Sequence, residues 1–159
     1  MNRLTHFNAK GEAVMVDVAS KEVTERVAIA KGKIVVSKEI MTHVKAGSLQ
    51  KGDVLGIARV AGIMAVKKTS DLIPLCHPLF ISQCHLDFEL EVEACTIEVI
   101  CTVKINHQTG VEMEALTGVN VALLTIYDMC KALCKKMMIT NVHLAYKSGG
   151  KSGEFNYEA

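Results

Sequence analysis

Residues 110–136 read GVEMEALTGVNVALLTIYDMCKALCKK, and this stretch decides how the chain folds. From Ala115 to Tyr127 it is apolar apart from Thr117, Asn120 and Thr125. The run is too long for one strand and contains no proline, so it reads as a helix. A helix that is apolar nearly all round is buried on several sides. Asp128 and Lys131 follow, three residues apart, and so share one helical face with Cβ atoms roughly 5–6 Å apart. Burying a charge is costly unless it is paired. A carboxylate and an ammonium held together in a dry place have shifted, coupled titrations. The pattern therefore predicts a buried acid–base pair equipped for proton transfer. The plain alternative is an ordinary ion pair at a helix end.

The segments around this helix complete the pattern. Residues 23–36, VTERVAIAKGKIVV, alternate and are rich in β-branched residues, which predicts a strand bent near Gly32. Ser37 is placed to cap a short helix that runs to Lys45 and stops at Gly47. Asp53 is placed to cap a second helix over 54–68, whose Gly56 and Gly62 imply close packing against another backbone. Residues 81–91 and 94–106 alternate and read as a strand pair. A last strand is expected over 142–146. Residues 14–18 form a short alternating piece within an otherwise irregular beginning. The order strand, two helices, two strands, long helix, strand predicts an α+β fold with helices on one face of a largely antiparallel sheet.

A chain of 159 residues fits a single domain, here 1–159 with an irregular segment 1–20 and a Gly/Lys-rich tail 147–159. Half the residues are apolar and mean hydropathy is +0.26, which suggests that other subunits cover part of the surface. The apolar part of the long helix ends at Asp128, short of the roughly 20 residues a membrane span needs. The opening MNRLTHFNAKGEA has no apolar core, so no signal peptide is expected. A cytoplasmic location follows, with the six cysteines reduced. They form no Cys-x-x-Cys pair and no zinc spacing with histidine, so neither a metal nor a cofactor is expected. A net charge of +1 and the lack of tryptophan argue against a nucleic-acid partner.

Several residues outside the long helix could carry chemistry. The two prolines of the chain, Pro74 and Pro78, stiffen the loop DLIPLCHPL and hold His77 extended, where it could serve as acid, base or phosphate ligand. Glu112 and Glu114 open the long helix, where plain favourable placement at the macrodipole is the alternative role. Fourteen positions separate Glu114 from Asp128, about 21 Å along the axis. One small reacting centre cannot use both from one chain, so either the ligand is long or subunits complete each other's sites. The tail KSGGKSG offers glycines and lysines for a phosphate cradle, although it lacks the P-loop spacing and could equally be a solvated tail. Arg26, Lys51 and Lys67 add positive charge in or beside the expected elements.

Together, DLIPLCHPL, GVEMEALTGVNVALLTIYDMCKA and AYKSGGKSG closely resemble the cyclic pyranopterin monophosphate synthase family, also called molybdenum cofactor biosynthesis protein C. LTHFNAKGEAVMVDVASK and KGDVLGIARVAGIMAVKKTSDLIP are similar to that family too, so the likeness spans nearly the whole chain. The resemblance implies a ferredoxin-like subunit and a homohexamer built as a trimer of dimers, with sites at the dimer interface. It implies conversion of a cyclised dihydro-GTP, made by a partner radical enzyme, into cyclic pyranopterin monophosphate and diphosphate. The family's substrate positions fall on Leu75, Cys76, His77, Met113 and Glu114, with Glu112 assisting. Its catalytic pair falls on Asp128 and Lys131, and its basic positions on Arg26, Lys51, Lys67, Lys147 and Lys151. Two other classes remain open on the residues alone: a nucleotide-binding regulatory module, which needs no Asp–Lys pair, and a structural oligomer, which needs no rigid PLCHP loop.

Overall fold

A computed structural model describes residues 6–8, 10–47 and 52–158. Its elements, in order, are β1 (Thr24–Val35), α1 (Lys38–Ala46), α2 (Val54–Val66), α3 (Thr69–Leu72), β2 (Gln83–Glu91), β3 (Thr96–His107), α4 (Glu112–Cys130), β4 (Met138–Ser148) and β5 (Phe155–Asn156). The strands form one sheet in the order β2-β3-β1-β4-β5, and every neighbouring pair is antiparallel. The α+β expectation holds, and the order of β1 to β4 with their helices is compatible with the split βαβ, ferredoxin-like pattern.

Period-two alternation explains the core. Ala28, Ala30 and Ile34 of β1 and Ile97, Val99, Cys101 and Val103 of β3 are fully buried on one face, against α4, while α2 packs on β2 and α4. The opposite face carries Lys31, Lys33, Glu98 and Lys104, with Lys33 bridging Glu91 at 2.8 Å and Glu98 at 3.5 Å. On α4 the buried set includes Ala115, Val119, Ala122, Leu123 and Ile126, so the helix packs against β1, β3, β4 and α2 at once. Small residues make this possible. A Cβ on Gly62 of α2 would come 3.0 Å from the Gly118 carbonyl oxygen of α4 and 2.5 Å from Leu86, so the two helices meet backbone to backbone. Gly32 has the same origin: a Cβ there would reach Val119 at 2.8 Å, and the β1–β4 register shifts between Lys31 and Lys33. Gly56 differs from expectation. Its missing Cβ leaves room for the Asp53 carboxylate, which caps α2 by accepting from Gly56 N at 2.9 Å.

The caps of α1 are as expected, with Ser37 accepting from Ile40 N and Gly47 left-handed at φ 62°. Two expectations need correction. The last long strand begins at Met138 rather than 142, because Asn141 at φ 53° and a register shift break the alternation that marks a strand. Lys147 belongs to that strand and not to a loose tail, and β5 folds back onto Tyr146 and Lys147. The irregular beginning is as expected: residues 14–18 form no strand, and Val16 and Val18 line a cavity.

Candidate functional site

Strand register brings one set of predicted residues to one end of the sheet. Thr24 of β1 lies opposite His107 of β3, and Val27 lies opposite Ser148 of β4, so β1 begins where β3 and β4 finish. Gln83 opens β2 at the same end, and α4 starts there with Glu112. The loop carrying Leu75, Cys76 and His77 precedes β2 directly.

Two adjoining cavities lie at this end. The smaller, of about 260 Å³, is lined by Leu75, Cys76, His77, Glu112, Met113 and Glu114, and by Val16, Val18 and Lys21 from the N-terminal segment. The larger, of about 810 Å³, is lined by Arg26, Lys147, Lys151 and Ser152, with Lys21, Glu22, Gln108 and Glu112. All six non-basic substrate positions expected from the resemblance thus share one cavity, and three of the five basic ones share its neighbour.

The smaller cavity is set for proton traffic. Glu114 is only 4% exposed, and burial, with the nearby Glu112 charge, pushes its carboxyl up to about 7 against a bond from its own N–H. Burial and the Glu114 charge also raise the Cys76 thiol. His77 donates from Nε2 to the Val16 carbonyl oxygen at 2.9 Å, since that oxygen can only accept. Gln108 donates to the Ala19 carbonyl at 3.2 Å from the other side. Residues 14–21 are thereby pinned between two loops, and they close both cavities.

The larger cavity is cationic. Arg26 is 9% exposed, and its guanidinium donates to the carbonyl oxygens of His107 at 3.2 Å and Gln108 at 3.1 Å, both neutral. A buried cation with neutral partners favours an anion beside it. Glycine is required next to it, because a Cβ on Gly150, already at φ 76°, would lie 1.5 Å from Arg26 Nη1. Lys147 donates to Ser152 Oγ, which holds the Gly-rich loop over the opening. Four cations against Glu22 and Glu112 make a wall suited to a polyanion.

Other expected residues stand elsewhere. Asp128 and Lys131 lie at the far end of α4, and the expectation of a dry pair is corrected. Their side chains are 64% and 51% exposed, with Lys131 Nζ donating to Asp128 Oδ1 at 2.5 Å. They continue the outer stripe of the helix that carries exposed Asn120 and Leu124, whereas Ile126, Met129 and Cys130 of the same turn are buried on the inner side. The hydrogen bond to Asp128 and its charge raise the Lys131 ammonium. Lys67 ends α2 beside Cys84 and lines neither cavity. Lys51 lies outside the described residues. Among the described residues, no three His, Cys, Asp or Glu side chains are grouped to hold a metal ion, and no helix is long and apolar enough to cross a membrane.

Residue-by-residue reading missed Lys21, Gln108, Thr109 and Ser152. Lys21 closes the segment VDVASK, but nothing local marks it, because its place depends on the two hydrogen bonds that pin residues 14–21.

Comparison with known proteins finds relatives along nearly the whole chain. A family model described as the MoaC family matches residues 15–150. The cyclic pyranopterin monophosphate synthase of Clostridium perfringens (strain 13 / Type A) is 59% identical over 98% of this chain and 99% of its own length. Those of Dinoroseobacter shibae and Heliobacterium modesticaldum are 54% and 52% identical, covering 99% and 98% of this chain and 100% and 98% of their own lengths.

Proposed function

The chain belongs to the MoaC family, and from that premise we propose that it acts as an enzyme of molybdenum cofactor biosynthesis, converting 3′,8-cyclo-7,8-dihydroguanosine 5′-triphosphate to cyclic pyranopterin monophosphate and diphosphate. The observation that carries this reading is the pairing of cavities. A small one holds His77, Glu112 and Glu114, and it opens beside a large one walled by Arg26, Lys147 and Lys151. A purine-derived ring with its sugar suits the first, and a triphosphate suits the second.

The chemistry follows from those placements. Opening the purine-derived ring and reclosing it as a pterin needs repeated proton transfers. A carboxyl that titrates near neutrality, as Glu114 does at about 7, can both give and take protons at working pH. A sugar hydroxyl then attacks the α-phosphorus, an O–P bond forms, and the bond to the bridging oxygen breaks as diphosphate leaves. Arg26, Lys147 and Lys151 hold the departing charge, and the family likeness alone adds Lys67 and Lys51 to the substrate-binding set.

Asp128 and Lys131 are proposed as the catalytic proton-transfer pair, supplied to the cavities by a neighbouring subunit. The support is distance and exposure: about 21 Å of helix separates them from Glu114, and both face outward in one chain. Ile57, Val60 and Met64 recur at i, i+3 and i+7 on α2 and are exposed, which gives a subunit contact an apolar face. The assembly proposed is a homohexamer, a trimer of dimers, of one catalytic domain per chain. It works in the cytoplasm beside the radical enzyme that supplies its substrate.

The test is to incubate the purified protein with the cyclised dihydro-GTP and measure diphosphate. One diphosphate per substrate consumed is expected. Consumption without diphosphate, or no consumption at all, removes this function.

A further inference from the structure

We infer that Lys21 is the cation that holds the reacting α-phosphate at the junction of the two cavities, with Glu112 beside it taking the proton of the attacking hydroxyl. This assignment rests on the function proposed above and deepens it. Among the described residues, only Lys21, Thr109, Gly110 and Glu112 line both cavities. A molecule with its ring in the smaller cavity and its terminal phosphates in the larger must pass its α-phosphate between these four. Lys21 is the single cation among them.

The surroundings hold that place in shape. The Lys21 N–H donates to the Val18 carbonyl in a turn, at 3.0 Å. Asp17 Oδ1 accepts from Ala19 N at 2.9 Å, and the bonds from His77 to Val16 and from Gln108 to Ala19 fasten the turn on both sides. Glu112 is half-buried and its carboxylate lies over Gly110, where a Cβ would come 2.1 Å from Oε2. The glycine leaves the junction open for that carboxylate. The other cavity cations have different stations. Arg26 is tied to two carbonyls, Lys147 to Ser152, and Arg26, Lys147 and Lys151 line only the larger cavity.

The step balances without a further reactant. The hydroxyl oxygen forms its bond to the α-phosphorus, and the electron pair of the breaking P–O bond departs on diphosphate. The hydroxyl proton goes to Glu112. Negative charge grows on the oxygens of the α-phosphorus during the step, so the ammonium of Lys21 binds the transition state more tightly than the ground state.

Lys21→Met and Lys21→Arg test the assignment, since an exposed side chain can change without disturbing the core. Diphosphate release at saturating substrate is measured together with equilibrium binding of a non-reacting GTP analogue. Lys21→Met is expected to lower kcat by on the order of 10²-fold while analogue binding weakens much less, and Lys21→Arg is expected to recover part of the rate. The assignment is overturned if Lys21→Met keeps wild-type kcat and only KM rises, or if the Arg variant is as slow as the Met variant. Absence of diphosphate release from the wild-type protein is a distinct result, and it overturns the proposed function along with this assignment.

Discussion

Replacing Glu114 by Gln should make the protein more stable at alkaline pH and leave it unchanged near pH 4.5. Glu114 is buried at 4% exposure, and its carboxyl is displaced from 4.5 to about 7, chiefly by burial. A folded state that raises an acid's pKa binds more protons than the unfolded chain between those two values. Stability therefore falls as pH rises through that window. Below 4.5 the carboxyl is neutral in both states and exacts nothing. Above 7 the folded protein must hold a desolvated carboxylate, at a cost of about 3 kcal/mol. Gln keeps the size and removes the titration. The assay is urea unfolding of both proteins from pH 4.5 to 8.5 at one fixed protein concentration, because subunit association also contributes to stability. The two curves should coincide at the acid end and separate by about 3 kcal/mol at the alkaline end, equivalent to roughly 6–12 °C in Tm. A difference that stays constant across the range would refute the buried-carboxyl argument. Turnover should fall in the same variant at every pH, so stability and activity move in opposite directions.

Asp128→Asn and Lys131→Ala should each lower diphosphate release by on the order of 10²-fold or more with thermal unfolding hardly changed, because both side chains are exposed; near wild-type release would take the pair out of the mechanism. Mixed assemblies of Asp128→Asn chains with Glu114→Gln chains should recover part of the activity that each parent lacks, and a fully active monomer in sedimentation would defeat the shared-site argument. Lys147→Met should weaken binding of a non-reacting GTP analogue and flatten its salt dependence, since one charge-assisted contact is lost; binding equal to wild type at every salt concentration would return Lys147 to a purely structural role. Gly62→Ala should destabilise the protein by about 1–3 kcal/mol, because the added carbon meets the Gly118 carbonyl oxygen at 3.0 Å; unchanged urea unfolding would show that the helices can part freely.

Legibility differed by the kind of signal. Helix α4 was readable because an apolar run of that length has few other homes, and α1 because Ser37 and Gly47 are local chemistry. The start of β4 was not, since Asn141 breaks alternation and only pairing with β1 restores the strand. Helix α3 lies in a stretch read as loop, because four residues carry no period. At the candidate site, the resemblance named His77, Glu112, Glu114, Arg26 and Lys147, which line two adjoining cavities. The burial of Asp128 and Lys131 was misjudged because an apolar run marks a helix as buried without marking the one stripe, here Asn120, Leu124 and Asp128, that faces solvent. Lys21 was invisible because its importance is tertiary.

The pinned segment of residues 14–21 has a thermodynamic consequence. The sheet is cross-linked by two twelve-residue strands in full register, whereas that segment joins no strand and is fastened to the neighbouring loops by single bonds from His77 and Gln108. Cooperative units of such unequal strength open separately. The chain can therefore lose one wall of its chemistry while its sheet and helices stay folded. Amide hydrogens of residues 14–21 should exchange by a local route that urea barely accelerates, while those of β1 and β3 wait for the whole molecule to unfold. Ligand held behind that wall would slow the first route alone.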